Sequence, residues 1–357
     1  MAVDLLAFER RLSGERILVT GHTGFTGGWL TAWLAGIGAE VYGLALAPET
    51  TPNLFETAHI GEIVRHRLLD IRSTADVMRC LKEVRPSVLI HLAAQPLVRR
   101  SYREPVETFA TNVIGTANVL EAARACSVRA AVVITTDKVY RNHEWDRPYS
   151  EVDELGGKYP YSASKACAEL VAASYQASYG SGGLAIATAR GGNIIGGGDW
   201  SEDRLIPDFV RAVLAGKPIA LRNPEATRPW QHVLSLCHGY VMLAAALLDR
   251  PAEHAGGWNL GPASDEIVPV GTVVERLSGM WRAPSVKIEP ANLAEAQHLS
   301  LDSTKARNEL GWHPPWSLET VLARTAEWYR DFHDGRKDAR TLLDGQIAEY
   351  RQAIDRA

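Results

Sequence analysis

Cysteine is scarce. The four cysteines in 357 residues, Cys80, Cys126, Cys167 and Cys237, stand far apart with no CxxC pair, which argues against a disulfide framework or a structural zinc site and leaves reduced, structural thiols. An excess of one charge is also missing: Lys and Arg (38) nearly balance Asp and Glu (42) for a formal net charge of −4. No global field therefore draws in nucleic acid or an anionic membrane, and any phosphate must be gripped locally. No apolar run reaches membrane-spanning length, and Asp4, Glu9, Arg10 and Arg11 interrupt the start, where a signal peptide would carry a basic head and a long apolar core. A cytoplasmic chain is the expectation. Internal repeats and low-complexity tracts are absent as well.

What is present is alternation. The length exceeds the size at which single cores usually stop growing, so two lobes are expected. From Arg16 onward short β-branched runs alternate with longer amphipathic ones: RILVT at 16–20, GWLTAWLAGIG at 28–38, EVYGLAL at 40–46, SVLIHLAA at 87–94 and AAVVITT at 130–136. That pattern predicts an α/β fold, a Rossmann-like doubly wound parallel sheet covered on both faces by helices. Helices are predicted over Gly27–Gly36, Ser73–Val84, Val106–Ala125 and Tyr161–Tyr179, and a further buried strand over Leu184–Ala189. Past Arg190 glycine- and proline-rich loops interrupt shorter helices at Leu205–Ala215 and Leu234–Leu248, and Leu318–Phe332 has the spacing of a surface-packed helix. Residues 1–190 are thus expected to form the Rossmann domain, with elements returning from the C-terminal half, and 191–357 mainly a smaller lobe across a shared cleft.

Thr20-Gly21-His22-Thr23-Gly24-Phe25-Thr26-Gly27 joins the first strand directly to the first helix. Glycines there let the backbone approach a pyrophosphate, and the helix start offers free N–H groups and a positive dipole end. Gly21, Thr23, Gly24, Phe25 and Thr26 are candidate dinucleotide contacts; an ordinary glycine-rich turn is the alternative. The Gly-x-x-Gly-x-x-Gly spacing is not the common Gly-x-Gly-x-x-Gly. Asp70-Ile71 follow a third strand, where a carboxylate can accept from an adenine amino group. Leu92-Ala93-Ala94-Gln95 end a fourth, where small residues let a cofactor lie flat. The second strand ends Leu44-Ala45-Leu46-Ala47, with no carboxylate for ribose hydroxyls and no Arg to favour a 2′-phosphate.

Tyr161 and Lys165 fall one turn apart on an Ala-rich helix and share a face. An ammonium beside a phenol favours the phenolate, which predicts that Tyr161 is lowered from the ordinary tyrosine range and serves as a base. A chance surface pair is the alternative. Thr136 ends the fifth strand, at the carboxyl edge where doubly wound sheets place ligands, and can hydrogen-bond the same sugar oxygen.

The glycine turn together with Thr136 and Tyr161-x-x-x-Lys165 resembles the extended short-chain dehydrogenase/reductase family, in its branch of nucleotide-sugar epimerases and dehydratases. Asp137-Lys138 after Thr136 resembles the 4,6-dehydratases, which need proton-transfer residues there. Lys rather than Glu at the second place departs from the thymidine-nucleotide branch and is similar to the CDP-glucose branch. Thr188-Ala-Arg190-Gly-Gly-Asn193, Gly196-Gly-Gly-Asp199-Trp200, Asp203-Arg204-Leu-Ile-Pro207-Asp208, Arg222-Asn223-Pro224 and Ala226-Thr227-Arg228-Pro229-Trp230-Gln231-His232-Val233 resemble the same branch. The likeness runs from about Arg16 to about Trp328 and is most specific in those blocks.

The resemblance implies an NAD-dependent hydro-lyase acting on CDP-glucose. C4 is oxidised with Tyr161 as base, water is lost from C5 and C6 with Asp137 as acid and Lys138 as a second proton-transfer group, and C6 is then reduced. Lys165 is implied to hold the nicotinamide ribose, and Gln95, Asn193 and Arg228 to contact substrate. Arg190 and Arg204 are further candidates for a bidentate grip on the pyrophosphate, and Trp200 and Trp230 for stacking on a pyrimidine, unless they are structural. A homodimer or homotetramer pairing through the helices 106–125 and 161–179 is implied too. The rival readings are a dehydratase for another nucleotide sugar, a 4-epimerase, which lacks the Asp-Lys pair, and a non-catalytic NAD-sensing protein, which would typically have lost the tyrosine or lysine. No metal is expected.

Overall fold

The computed structural model describes residues 5–263, 266–289 and 298–356. Six parallel strands follow the alternation read from the sequence: β1 (Arg16–Thr20), β2 (Glu40–Ala45), β3 (Arg65–Leu68), β4 (Val88–His91), β5 (Ala130–Ile134) and β6 (Ala185–Arg190). A seventh, Gly256–Asn259, pairs with β6 and completes the order Gly256–Asn259, β6, β5, β4, β1, β2, β3. Successive strands thus add outward on one side from β1 to β3 and on the other from β4 to β6. The reversal at β1 and β4 opens a crevice at the carboxyl ends.

Apart from the exposed edge strand β3, both faces of the sheet are buried, and the period of two sorts its residues between them. Ile17, Val19, Val88, Ile90, Ala130, Val132 and Ile134 face one core. Leu18, Leu89, Ala131 and Val133 face the other. The first core is covered by the helices Phe25–Gly36 and Val233–Asp249, the second by Thr74–Val84 and Gly115–Ala125. Val233–Asp249 is apolar nearly all round and buried along almost its whole length, as a helix must be when it is enclosed on every side. It and the seventh strand come from the C-terminal half, so the sheet is built from both halves of the chain.

The other predicted helices appear as Pro160–Tyr179, Leu205–Ala215 and Leu318–His333, and the predicted strand 184–189 is β6. The stretch 106–125 differs. It runs as Pro105–Phe109, a π-helical turn Ala110–Ile114 and Gly115–Ala125. Gly115 lets this helix close on the turn after β3, since a Cβ there would lie 2.5 Å from Ile71 Cδ1. The helices Leu5–Leu12 and Ala339–Ile354 were not anticipated. In the C-terminal half three short pairings, such as Thr227–Pro229 against Ile267–Pro269, hold loops that face the crevice.

Candidate active site

A cleft of about 860 Å³ lies over the carboxyl ends of the strands, within the range of small-molecule sites. At one end is the glycine turn. Gly21 has φ +79°, and a Cβ there would sit 2.8 Å from Ala93 N, so the ends of β1 and β4 approach through it. Gly27 lies against Gly21, where a Cβ would come 2.0 Å from the Gly21 carbonyl oxygen. No side chain caps the helix start at Gly24, and the Gly28 N–H, 2.8 Å from the Gly24 oxygen, bonds back into the turn. The first-turn N–H groups of Phe25, Thr26 and Gly27 thus stand at a cleft-lining helix N-terminus. Thr23 donates to the Leu46 carbonyl at 2.8 Å.

Asp70, Ile71, Leu92, Ala93 and Ala94 line the same end of the cleft. The Asp70 carboxylate accepts from the Arg72 side chain, whose hydrogen bonds hold it below the usual carboxylate range against the effect of burial. Glu49, past the end of β2, also lines the cleft, its carboxylate 2.9 Å from Arg100 Nη1. The sequence reading looked for an acid at the strand end itself and missed it.

At the middle of the cleft the corner after β5 meets the helix Pro160–Tyr179, whose first residue is a proline with φ suited to the start. The Thr136 hydroxyl acts on the Tyr161 phenol and works to lower it. Thr136 Oγ1 donates to Asp137 Oδ1 at 2.8 Å, and Lys138 Nζ donates to that same oxygen at 2.9 Å. A grouping of four polar side chains, Tyr161, Thr136, Asp137 and Lys138, results. Thr136, Lys138, Tyr161 and Lys165 line the cleft. Asp137 does not. It is fully buried, its Oδ2 finds no partner among the described residues, and it packs against Gly192, where a Cβ would lie 2.2 Å from Oδ2. Its route to a ligand runs through its neighbours.

The expected lowering of Tyr161 is not found. Burial pushes the phenol up to about 12, offset in part by the Thr136 hydroxyl and the nearby Arg204 charge. The reason is geometric: Lys165 Nζ turns to the Ile134 carbonyl, 3.0 Å away. Burial drops Lys165 to about 8, with the Glu169 charge working to raise it.

Of the substrate candidates, Gln95, Asn193, Arg204, Arg228, Trp200 and Trp230 line the cleft and Arg190 does not. Arg190 is a correction: it is 5% exposed and paired with Glu169 at 2.7 Å, so its guanidinium is spent inside the protein. Trp230 is also mainly packed, 4% exposed with Nε1 donating to the Val268 carbonyl. Trp200 stands edge-on to Tyr329 and is half-buried. Arg204 donates to Asp199 at 3.0 Å. The Gln95 amide donates to Thr108 Oγ1 and accepts from the Leu97 N–H, which fixes its orientation at the cleft. Asn193 takes a left-handed backbone (φ +45°), and its Oδ1 has no partner among the described residues.

Sequence reasoning missed a cluster that crosses the cleft: Asp203 Oδ1 lies 3.4 Å from Arg99 Nη1 and 3.2 Å from Arg222 Nη2, and all three line the wall. No spacing rule joins Arg99 to Asp203, more than a hundred positions on, or Asp203 to Arg222, nineteen further along. Among the described residues no helix is long and apolar enough to cross a membrane, and no group of His, Cys, Asp or Glu is arranged to hold a metal.

A family model described as GDP-mannose 4,6 dehydratase matches residues 18–325. The chain is 41% identical over 352 residues to the CDP-glucose 4,6-dehydratase of Salmonella typhimurium, covering 96% of this chain and 98% of that one. Among solved structures, the dTDP-glucose 4,6-dehydratase DesIV of Streptomyces venezuelae, determined with NAD bound, matches with a TM-score of 0.77 at 28% identity, over 90% of this chain and 98% of that one. The UDP-glucose 4-epimerase of Thermus thermophilus, in complex with NAD, matches with a TM-score of 0.76 at 26% identity, over 88% and 99%.

Proposed function

The chain belongs to the GDP-mannose 4,6 dehydratase family, and from that premise we propose that it is an NAD-dependent hydro-lyase converting CDP-glucose to CDP-4-keto-6-deoxyglucose. The observation that carries the reading is the grouping of Tyr161, Thr136, Asp137 and Lys138 at the carboxyl edge of β5, with Thr136 and Lys138 both bonded to Asp137 Oδ1 and both lining the cleft with Tyr161. The likeness to the Salmonella enzyme supports CDP-glucose as the substrate.

The residues present fit the cofactor. The uncapped helix start at Gly24, the close approach that Gly21 and Gly27 permit, and the small Ala93-Ala94 wall make a cradle for a pyrophosphate and a flat ring. Thr23, Phe25 and Thr26 border that cradle, and Asp70 and Ile71 close its adenosine end. NAD, when bound, supplies a two-electron oxidation and its reversal.

The protein's own part is proton handling. Tyr161 Oη takes the proton of the sugar C4 hydroxyl as C4 is oxidised, and its own proton passes to Thr136 Oγ1 and so to Asp137 Oδ1. The ketone at C4 acidifies C5. Elimination then removes one proton from C5 and adds one to the departing C6 hydroxyl; Lys138 Nζ is the member of its pair that reaches the cleft, with Asp137 behind it as the proton store. Lys165, charged at neutral pH, holds the nicotinamide ribose beside Tyr161. Arg228, Arg204 and Asn193 hold the substrate's diphosphate and sugar, and Trp200 borders the base.

The two lobes divide near residue 190, the second supplying Asn193, Arg204 and Arg228. Val106, Phe109, Ile114 and Leu170, exposed apolar residues on neighbouring helices, support a homodimer through that face. We place the enzyme in the cytoplasm. The decisive experiment incubates the protein with CDP-, UDP-, GDP- and dTDP-glucose, with and without NAD, and follows water loss by mass spectrometry. Loss from CDP-glucose alone is expected; intact CDP-glucose sinks the reading.

A further inference from the structure

One buried ion pair touches both ends of the corner that carries Thr136, Asp137 and Lys138. Glu169 sits on the helix Pro160–Tyr179, one turn beyond Lys165 and two beyond Tyr161, and is 3% exposed. Arg190 ends β6. Their contact at 2.7 Å uses Glu169 Oε2 and Arg190 Nη2. Thr135, the residue before the corner, donates to Glu169 Oε1 at 2.5 Å. Tyr140, two residues after Lys138, accepts from Arg190 Nη1 at 2.8 Å and donates to Asn259 Oδ1 at 2.6 Å. Thr188 Oγ1 donates to Glu169 Oε2 at 2.7 Å, so both carboxylate oxygens are engaged.

Such a pair is a poor source of stability, because desolvating two charges offsets their attraction. Its use is geometric. The helix that bears Tyr161 and Lys165 and the corner that bears Thr136 and Lys138 come from segments more than twenty residues apart, and this pair is bonded to both. We propose that Glu169 and Arg190 are positioning residues that clamp the corner at Thr135 and Tyr140 and so fix its distance from Tyr161, an inference that rests on the dehydratase reading for its effect on rate. Neither touches the cleft. Their action is through Thr135 and Tyr140.

Removing either member of the ion pair leaves a buried charge and risks the fold, so the test removes the pins instead. Thr135→Val and Tyr140→Phe each delete one neutral hydroxyl, and Thr135→Ser restores one. Hydrogen exchange read by mass spectrometry should quicken in segment 135–140 of both deletion variants while β1 stays as in the wild type. With CDP-glucose, kcat should fall about ten- to a hundredfold, as small misplacements do, with KM little changed. Thr135→Ser should recover both readouts. Wild-type exchange in the corner of both deletion variants, or a loss that falls wholly in KM, overturns the clamp. A wild-type protein that dehydrates no nucleotide sugar overturns the proposed function instead, and the exchange comparison still decides the clamp.

Discussion

Lys138 Nζ stands 2.9 Å from Asp137 Oδ1, and of the two only the lysine reaches the cleft. A carboxylate sealed behind an ammonium can exchange a proton with a ligand only through that neighbour or through Thr136. Lys138→Ala should therefore leave C4 oxidation, seen as absorbance of the reduced cofactor, while slowing water loss about a hundredfold or more, the usual scale of a lost acid–base group. Full turnover by the variant removes Lys138 from the mechanism.

The pH profile should bear the mark of Lys165. Burial brings its ammonium down to about 8, while the Tyr161 phenol is pushed up to about 12. As pH rises, the ammonium is lost before a phenolate forms unaided. Whatever the charged lysine contributes is present below about 8 and disappears above it, so kcat/KM should fall through that region. Lys165→Arg keeps its charge throughout. Its rate, though reduced, should show no fall near 8, and an unmoved basic limb would assign it to another group.

Two arginines that look alike in the sequence should behave differently. Arg228 lines the cleft and Arg190 does not. Arg228→Met should raise KM for the nucleotide sugar about ten- to a hundredfold, the cost of a charged hydrogen bond or two. Arg190→Met strips Glu169 of its buried partner and should cost about 3–5 kcal/mol of stability, read by denaturant unfolding. Equal effects on KM would return Arg190 to the substrate.

That contrast marks where sequence reading stops. The strands β1, β2 and β4 to β6 were legible because a parallel sheet buried on both faces writes apolar runs between helices, whereas β3, the exposed edge strand Arg65–Leu68, carries no such run. The glycine turn, Thr136 and Tyr161-x-x-x-Lys165 were legible because each is local. The seventh strand, Gly256–Asn259, was not: it is four residues long, opens with two glycines and takes its place only by pairing with β6. Nor does any spacing tell that Arg190 turns inward to Glu169, that Asp137 is sealed behind Gly192, or that Asp203 spans Arg99 and Arg222. Those depend on which side of a strand or loop faces the cleft, and tertiary packing settles that.

Glycines give a last test, because the structure separates those that are needed from those that are not. A Cβ on Gly27 would come 2.0 Å from the Gly21 carbonyl oxygen, a backbone atom with no room to yield. Gly27→Ala should open the turn, lower Tm and abolish NAD binding by calorimetry. Gly345 is exposed within the helix Ala339–Ile354, with nothing within 4 Å of the added atom. Alanine there adds helix propensity and restricts the unfolded chain, so Gly345→Ala should stabilise the protein by about 0.5–1 kcal/mol without touching the cleft. If Gly27→Ala binds NAD as the wild type does, the turn is merely a tight connection and the cofactor lies elsewhere in the cleft.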